Sequence, residues 1–194
     1  MRLQALILFS IAPAVTLAQA PTPRPEAAVI TAALSPLPAE FRETATVLKW
    51  TARWQTAPLR EGSGPMICLA DNPFADGFHA ACYHRDLEPY MERGRALRRA
   101  DTTARASIDS VRYAEINSGK LPMPKIGTIW QLSGADSLID WSTGEAKGPL
   151  RGLNVVHLPG ATVQSTGLPT AGPPGTPWLM FPGTPASHIM LVKP

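Results

Sequence analysis

The sequence has little of what usually announces a chemistry. It holds two cysteines and four histidines in 194 residues, and aromatic residues make up only 7%. Nucleophile motifs are missing. Glu61-Gly62-Ser63-Gly64 departs from the Gly-x-Ser-x-Gly elbow by one position, and neither Ser-x-x-Lys nor His-Glu-x-x-His occurs. Ser118-Gly119-Lys120 lacks the rest of a phosphate-binding loop. No excess of one charge exists: the formal balance is +3, and a value that small gives no reason to expect nucleic acid or acidic lipid as a partner. After the first twenty residues no apolar run approaches the roughly 20 residues of a membrane span. No internal repeat is found.

What is present begins with the N-terminus. Arg2 supplies a short positive region, Leu3 to Leu17 is mostly apolar, and Ala18-Gln19-Ala20 places small residues at −3 and −1 of a cleavage site. This is the pattern of a secretory signal over residues 1–20. The apolar stretch is interrupted by Pro13 and is short for a membrane anchor. No twin-Arg pair precedes it and no Cys follows it, so neither a Tat route nor a lipid anchor is indicated. The expected location is therefore extracytoplasmic, in a periplasm or secreted.

Proline is the compositional anomaly, with 21 residues, while 44% of the chain remains apolar. Long ordered loops are expected instead of disorder. Residues 21–43, with Pro21-Thr-Pro-Arg-Pro25 and Ser35-Pro-Leu-Pro38, read as a semi-rigid linker. Residues 44–194 read as one domain. Thr44 to Leu59 favours β structure, and Met66 to Leu69 is a short buried strand, the two suggesting a hairpin through the Arg60–Pro65 turn. Residues 70–84 read as a loop. Two helices are expected next, the first capped by Asp86 with Pro89 in its first turn, the second from about Thr103 to Asn117 with Gly119 as its stop. Their apolar stripes are Leu87, Tyr90, Met91 and Leu97, then Ala104, Ile108, Val111 and Ala114. Strands return at 126–132 and 153–158, and Trp178–Phe181 with His188–Val192 form a final antiparallel pair. The order argues an α+β fold: a mainly antiparallel β-sheet with an inserted antiparallel helix pair and one disulfide-stapled loop.

The stretch Ala81-Cys-Tyr-His-Arg-Asp-Leu-Glu-Pro-Tyr-Met-Glu-Arg-Gly-Arg-Ala-Leu-Arg-Arg99 and the ending Pro177-Trp-Leu-Met-Phe-Pro-Gly-Thr-Pro-Ala-Ser-His-Ile-Met190 resemble an uncharacterised family of secreted bacterial proteins. The resemblance runs over most of the chain beyond the leader. It implies a bacterial, exported protein and brings no activity.

The residues with chemical potential are few. Cys68 and Cys82 are expected to form a disulfide, since a lone pair outside the cytoplasm oxidises. The rival is a metal site of mixed ligands from Asp71, His79, Cys82 and His84, whose spacing matches no standard zinc pattern. His79 and His84 bracket Cys82, Thr184 and His188 sit by the Pro182–Pro185 turn, and Asp71 shares a loop with the first two histidines. These five residues, expected to meet at one sheet edge, form the candidate binding surface. Trp50 and Trp54, four apart on a strand, are either a stacking platform or core. The seven arginines from Arg85 to Arg112, opposed by five acids, read as a solvated helix face. The function expected is a non-catalytic domain that binds a small ligand or an envelope protein and needs no cofactor. The alternative is a small, possibly metal-assisted hydrolase built on Asp71, His79, His84 and His188.

Overall fold

A computed structural model describes residues 23–100, 104–173 and 175–192; the expected leader, residues 1–20, lies outside them. The architecture is mixed α and β. Its centre is an eight-stranded sheet built from β1 (Thr46–Ala52), β2 (Gln55–Arg60), β3 (Met66–Leu69), β4 (Phe78–His84), β5 (Gly127–Gly134), β8 (Arg151–His157), β9 (Trp178–Met180) and β10 (His188–Val192), in the order β2-β1-β3-β4-β5-β8-β10-β9. Every neighbouring pair is antiparallel except β1 and β3. A two-stranded piece, β6 (Ile139–Asp140) and β7 (Glu145–Ala146), stands apart. The final antiparallel pair lies where the sequence placed it.

Three expectations are corrected. The β stretch before Leu59 is itself a hairpin, folding at Arg53 and Trp54, and β1 lies parallel to β3. The Arg60–Pro65 segment is consequently a crossover past the start of β1, not a hairpin turn. It runs so close that a Cβ on Gly62 would stand 2.3 Å from the Thr44 carbonyl oxygen, and one on Gly64 2.2 Å from Thr44 Oγ1. Glycine is needed there for space.

The supposed stapled loop is the second correction. Residues 78–84 form β4, the most buried strand, and Cys68 faces Cys82 directly across the β3–β4 ladder with their Cα atoms 3.9 Å apart. The disulfide is present, but it joins two central strands. β4 escaped a pattern-based reading because both its faces are covered. Phe78, Ala80 and Cys82 point one way, Ala81 and Tyr83 the other, and all five are buried, so no polar–apolar alternation remains to be read.

Third, residues 23–43, the described part of the expected linker 21–43, are not an extended tether. Glu26–Leu34 is a helix, α1, followed by the single turn α2 (Ala39–Arg42). Ala28, Ala32, Ala33, Leu34 and Leu37 are buried, and Ala33 and Leu37 share a cluster with Val47, Met66, Cys68 and Cys82. The Ala33 carbonyl oxygen lies 3.3 Å from Cys82 Sγ. Alanines let the helix backbone approach the disulfide this closely, and an alanine face gives almost no hydrophobic periodicity to detect.

The opposite face of the sheet carries α3 (Glu88–Arg99) and α4 (Arg105–Asn117), which fall in chain order between β4 and β5. They touch through an Arg93–Glu115 ion pair at 2.5 Å. A single 3-10 turn precedes α3, and its first free N–H, that of Asp86, is capped by His84 Nδ1 at 3.3 Å, not by Asp86 itself. Leu87, Tyr90 and Leu97 are buried as expected, while on α4 only Ile108 is; Val111 is half-buried and Ala104 and Ala114 are exposed. Gly119, at φ +76°, ends α4: its N–H reaches the Ile116 carbonyl and that of Lys120 the Glu115 carbonyl. Tyr83 anchors α3 to the sheet: its hydroxyl donates to Glu88, and the buried Arg95, on the same helix, pairs with Glu88 at 2.5 Å and Glu92 at 2.7 Å.

If residues 26–37 belong to the core, Leu37→Ala should destabilise the protein by about 2–5 kcal/mol in chemical denaturation. An unchanged midpoint would restore the tether. Reduction of Cys68–Cys82 should also lower the melting temperature, by the equivalent of roughly 3 kcal/mol for a loop of this length.

Candidate functional site

The five residues singled out in the sequence do not converge. Asp71 is buried and already engaged: it accepts from the His79 N–H at 2.8 Å and pairs with Arg24 at 2.6 Å. Arg24 also pairs with Asp136 at 2.8 Å and lies 3.5 Å over the Trp141 ring. Asp71 therefore fastens the start of the described chain to the domain. His84 caps the 3-10 turn before α3 through Nδ1. Thr184 Oγ1 donates to the Phe181 carbonyl at 2.8 Å and accepts from the Ala186 N–H, which holds the turn. His79 is exposed.

The sheet register explains the dispersal. His79 stands opposite Ser133 on β5, whereas His188 stands opposite His157, which stands opposite Gly127. The even spacing from 127 to 133 puts His79 and His188 on the same face but at opposite ends of the strands, about 20 Å apart at the usual rise per residue. The expected joint surface fails because β5 and β8 intervene. Among the described residues no three His, Cys, Asp or Glu side chains are grouped to hold a metal ion.

His188 belongs elsewhere, in a cleft of about 390 Å³ between the sheet and the helices α3 and α4. Leu69, Ile129, Leu153, Val155 and Met190 line it from the strands; Arg98, Arg105, Ile108, Asp109 and Arg112 line it from the helices. Trp50 and Trp54 contribute from the β1–β2 hairpin, Phe181 from the residue after β9, and Tyr90 from α3. Leu153, Val155, His157, His188 and Met190 reach the cleft together because the β8–β10 register sets Val155 against Met190 and His157 against His188.

Three guanidiniums face one carboxylate here. Arg112 pairs with Asp109 at 2.5 Å and Arg105 with the same carboxylate at 3.4 Å. Arg98 pairs with no carboxylate among the described residues, and burial, with Arg112 and Arg105 nearby, pulls its pKa below the ordinary arginine value. Each cation also lies against an aromatic ring: Arg98 at 4.8 Å from Trp54, Arg112 at 3.9 Å from Tyr90, Arg105 at 5.5 Å from Phe181. Tyr90 is pushed up to about 12 by burial, so its hydroxyl stays protonated.

Two histidines adjoin this array. His157 and His188 have ring centroids 5.0 Å apart, with His157 edge-on to Tyr90 and His188 edge-on to Phe181. His188 Nδ1 lies 2.7 Å from the Ala186 carbonyl oxygen. That oxygen only accepts, so Nδ1 carries the proton and Nε2 is left as an acceptor. His157 is 5% exposed, and its Nδ1 has no hydrogen-bond partner among the described residues. Burial, then the neighbouring His188 and Arg112, lowers its pKa to about 4; burial lowers His188 as well. Both rings are neutral at neutral pH. Arg112 Nε is the other buried polar atom without a partner among the described residues.

Sequence reasoning passed over Arg98, Arg105, Arg112, Phe181 and His157. One signal was available for α4: Arg105, Asp109 and Arg112 repeat at i, i+4 and i+7, on the side of the helix that carries Ile108. Charged residues repeating beside the buried stripe are not a solvated face. The run was instead weighed by its net charge, which Arg93, Arg95 and Arg99 balance with acids of their own.

The depressed pKa of His157 makes stability depend on pH. The unfolded ring binds a proton near pH 6.5, while the folded ring resists until about 4. Its contribution is complete above pH 6.5 and is lost as the pH falls through this window, by on the order of 3 kcal/mol. His157→Gln should flatten that part of the stability–pH curve relative to the parent. In NMR titration the His157 ring should remain neutral at pH 5; a midpoint near 6.5 would contradict its burial.

Comparison with protein-family models, with curated proteins and with solved structures finds no match, so what the chain can do is read from this cleft.

Proposed function

We propose that the protein is an exported, non-catalytic binding domain that captures an organic anion in the cleft under the helices. The observation that carries this reading is the charge imbalance: Arg98, Arg105 and Arg112 face a partly enclosed, largely apolar space with Asp109 as their carboxylate among the described residues. Arg98 and Arg112, partly desolvated, and the more exposed Arg105 repel one another, and an anion that enters replaces lost hydration with charge-assisted hydrogen bonds. The size suits a small molecule. An antiparallel pair made by α3 and α4, inserted between β4 and β5, would act as the roof that carries these charges.

Export is supported by the leader pattern at residues 1–20, by the resemblance to secreted bacterial proteins, and by the Cys68–Cys82 disulfide. Among the described residues no helix is long and apolar enough to cross a membrane.

The test is a thermal-shift titration of the oxidised protein, lacking its leader, against a panel of organic mono- and dianions at low ionic strength. At least one should raise the melting temperature saturably, as binding to the folded state requires. Arg98→Gln and Arg105→Gln should each weaken that binding about tenfold or more, the loss expected for one charge-assisted bond. A panel without binders, or affinities indifferent to both substitutions, would overturn the proposal.

A further inference from the structure

The backbone around the cleft narrows the class of ligand. Among the described residues only two that are not glycine adopt positive φ: Trp54 at +65° and Phe181 at +52°. Both are bulky aromatics, for which the left-handed region is costly. Trp54 is the second residue of a two-residue turn between Ala52 and Gln55, a position where glycine would remove the strain. Phe181 directly precedes Pro182-Gly183. Both residues line the same cleft, and each lies against one of its arginines. Two independent loops, from opposite flanks of the sheet, thus bear strain to place a ring and a guanidinium together in one space. Strain of this kind persists where surrounding structure enforces it: the Trp54 carbonyl is held by Arg99 at 2.7 Å and the Phe181 carbonyl by Thr184 and Ser187, both at 2.8 Å.

We infer, resting on the organic-anion reading above, that the ligand is an aromatic acid whose carboxylate meets the Arg98–Arg105–Arg112 group and whose ring packs among Trp54, Phe181 and the aliphatic strand residues. The choice over two other anions follows from the lining. An acidic sugar presents hydroxyls on every side, whereas Leu153, Val155, Ile129 and Met190 make the floor apolar and leave Gln131, Tyr113 and the histidines as the neutral polar lining. An aliphatic acid satisfies the floor but leaves the strained aromatic residues without a purpose. A planar ring uses both, through offset or edge contacts with the aromatic side chains. The cleft volume accommodates one or two fused rings and excludes a two-chain lipid.

The experiment compares 2-naphthoate, octanoate and glucuronate by isothermal titration at constant low salt, with the oxidised protein and the variants Trp54→Gly, Phe181→Gly and Arg98→Gln. Naphthoate should bind about tenfold or more tighter than octanoate, and glucuronate weakest. Each glycine variant should erase most of the naphthoate preference while its melting temperature is unchanged or raised, because glycine relieves the strain. Arg98→Gln should weaken naphthoate and octanoate alike. Octanoate equal to naphthoate, both sensitive to Arg98→Gln, would overturn the aromatic assignment and leave the organic-anion reading standing; tighter glucuronate would do the same. Binding of none of the three, or binding indifferent to Arg98→Gln, would overturn both. A clear loss of melting temperature in both glycine variants would also overturn the aromatic assignment, by showing that these rings serve the fold.

Discussion

Burial of β4 on both faces is the constraint from which the rest follows. A strand with Phe78, Ala80 and Cys82 on one side and Ala81 and Tyr83 on the other, all buried, requires a cover on each side of the sheet. On the first side the cover is α1, whose alanines let Ala33 approach the Cys68–Cys82 bond. On the second it is the turn at Leu87 and the helix α3, pinned from below by Tyr83 through Glu88 and Arg95. The disulfide ties β3 to β4 at the point where both covers press. Its value to the molecule lies in fixing the strand pair in the unfolded ensemble and in register, not in ordering a surface loop.

The cleft follows from how the second cover is filled. Leu87, Tyr90 and Leu97 bury α3 against the sheet, but α4 contributes only Ile108 as a buried side chain. Where α4 would otherwise supply apolar residues it supplies Arg105, Asp109 and Arg112. Beneath them Leu153 and Met190 are left partly uncovered. A helix that packs poorly and brings cations over an apolar floor is a weak element of stability and, on the proposed reading, a binding wall. Local stability is commonly lowest where a ligand must enter. The two neutral histidines are part of the same economy: additional positive charge on His157 is opposed by its burial and by Arg112.

Strands whose turn residues bound them, such as Ile126–Leu132 and the Trp178 and His188 pair, were legible in the sequence, as were the disulfide, the existence of two helices and the Gly119 stop. Each depends on local chemistry that a short window contains. Buried β4 was not, because a strand covered on both faces carries no alternation. Nor was α1, because alanine packs closely while contributing little to periodicity. The expected meeting of His79, His84 and His188 fails for a different reason. Sequence proximity put His79 and His84 beside Cys82, but the ladder decides distance: His79 lies six positions along β5 from the register of His188. Histidine in a sequence suggests a group that titrates or ligates, whereas burial keeps His157 and His188 neutral in the cleft. The arginines of the cleft share a run with Arg93, Arg95 and Arg99, whose acid partners balance the net charge of the stretch.

The central claim is that three arginines act together as one anion site. The most direct measurement is an NMR titration of the arginine Nε–Hε signals with 2-naphthoate. The account predicts saturable shifts, with one common dissociation constant, at Arg98, Arg105 and Arg112. Arg60 and Arg85, whose guanidiniums are committed to carbonyl oxygens of the β1–β3 crossover region, should stay unmoved. Non-saturating shifts spread evenly over all arginines would show only that the protein is weakly basic, and would contradict the site.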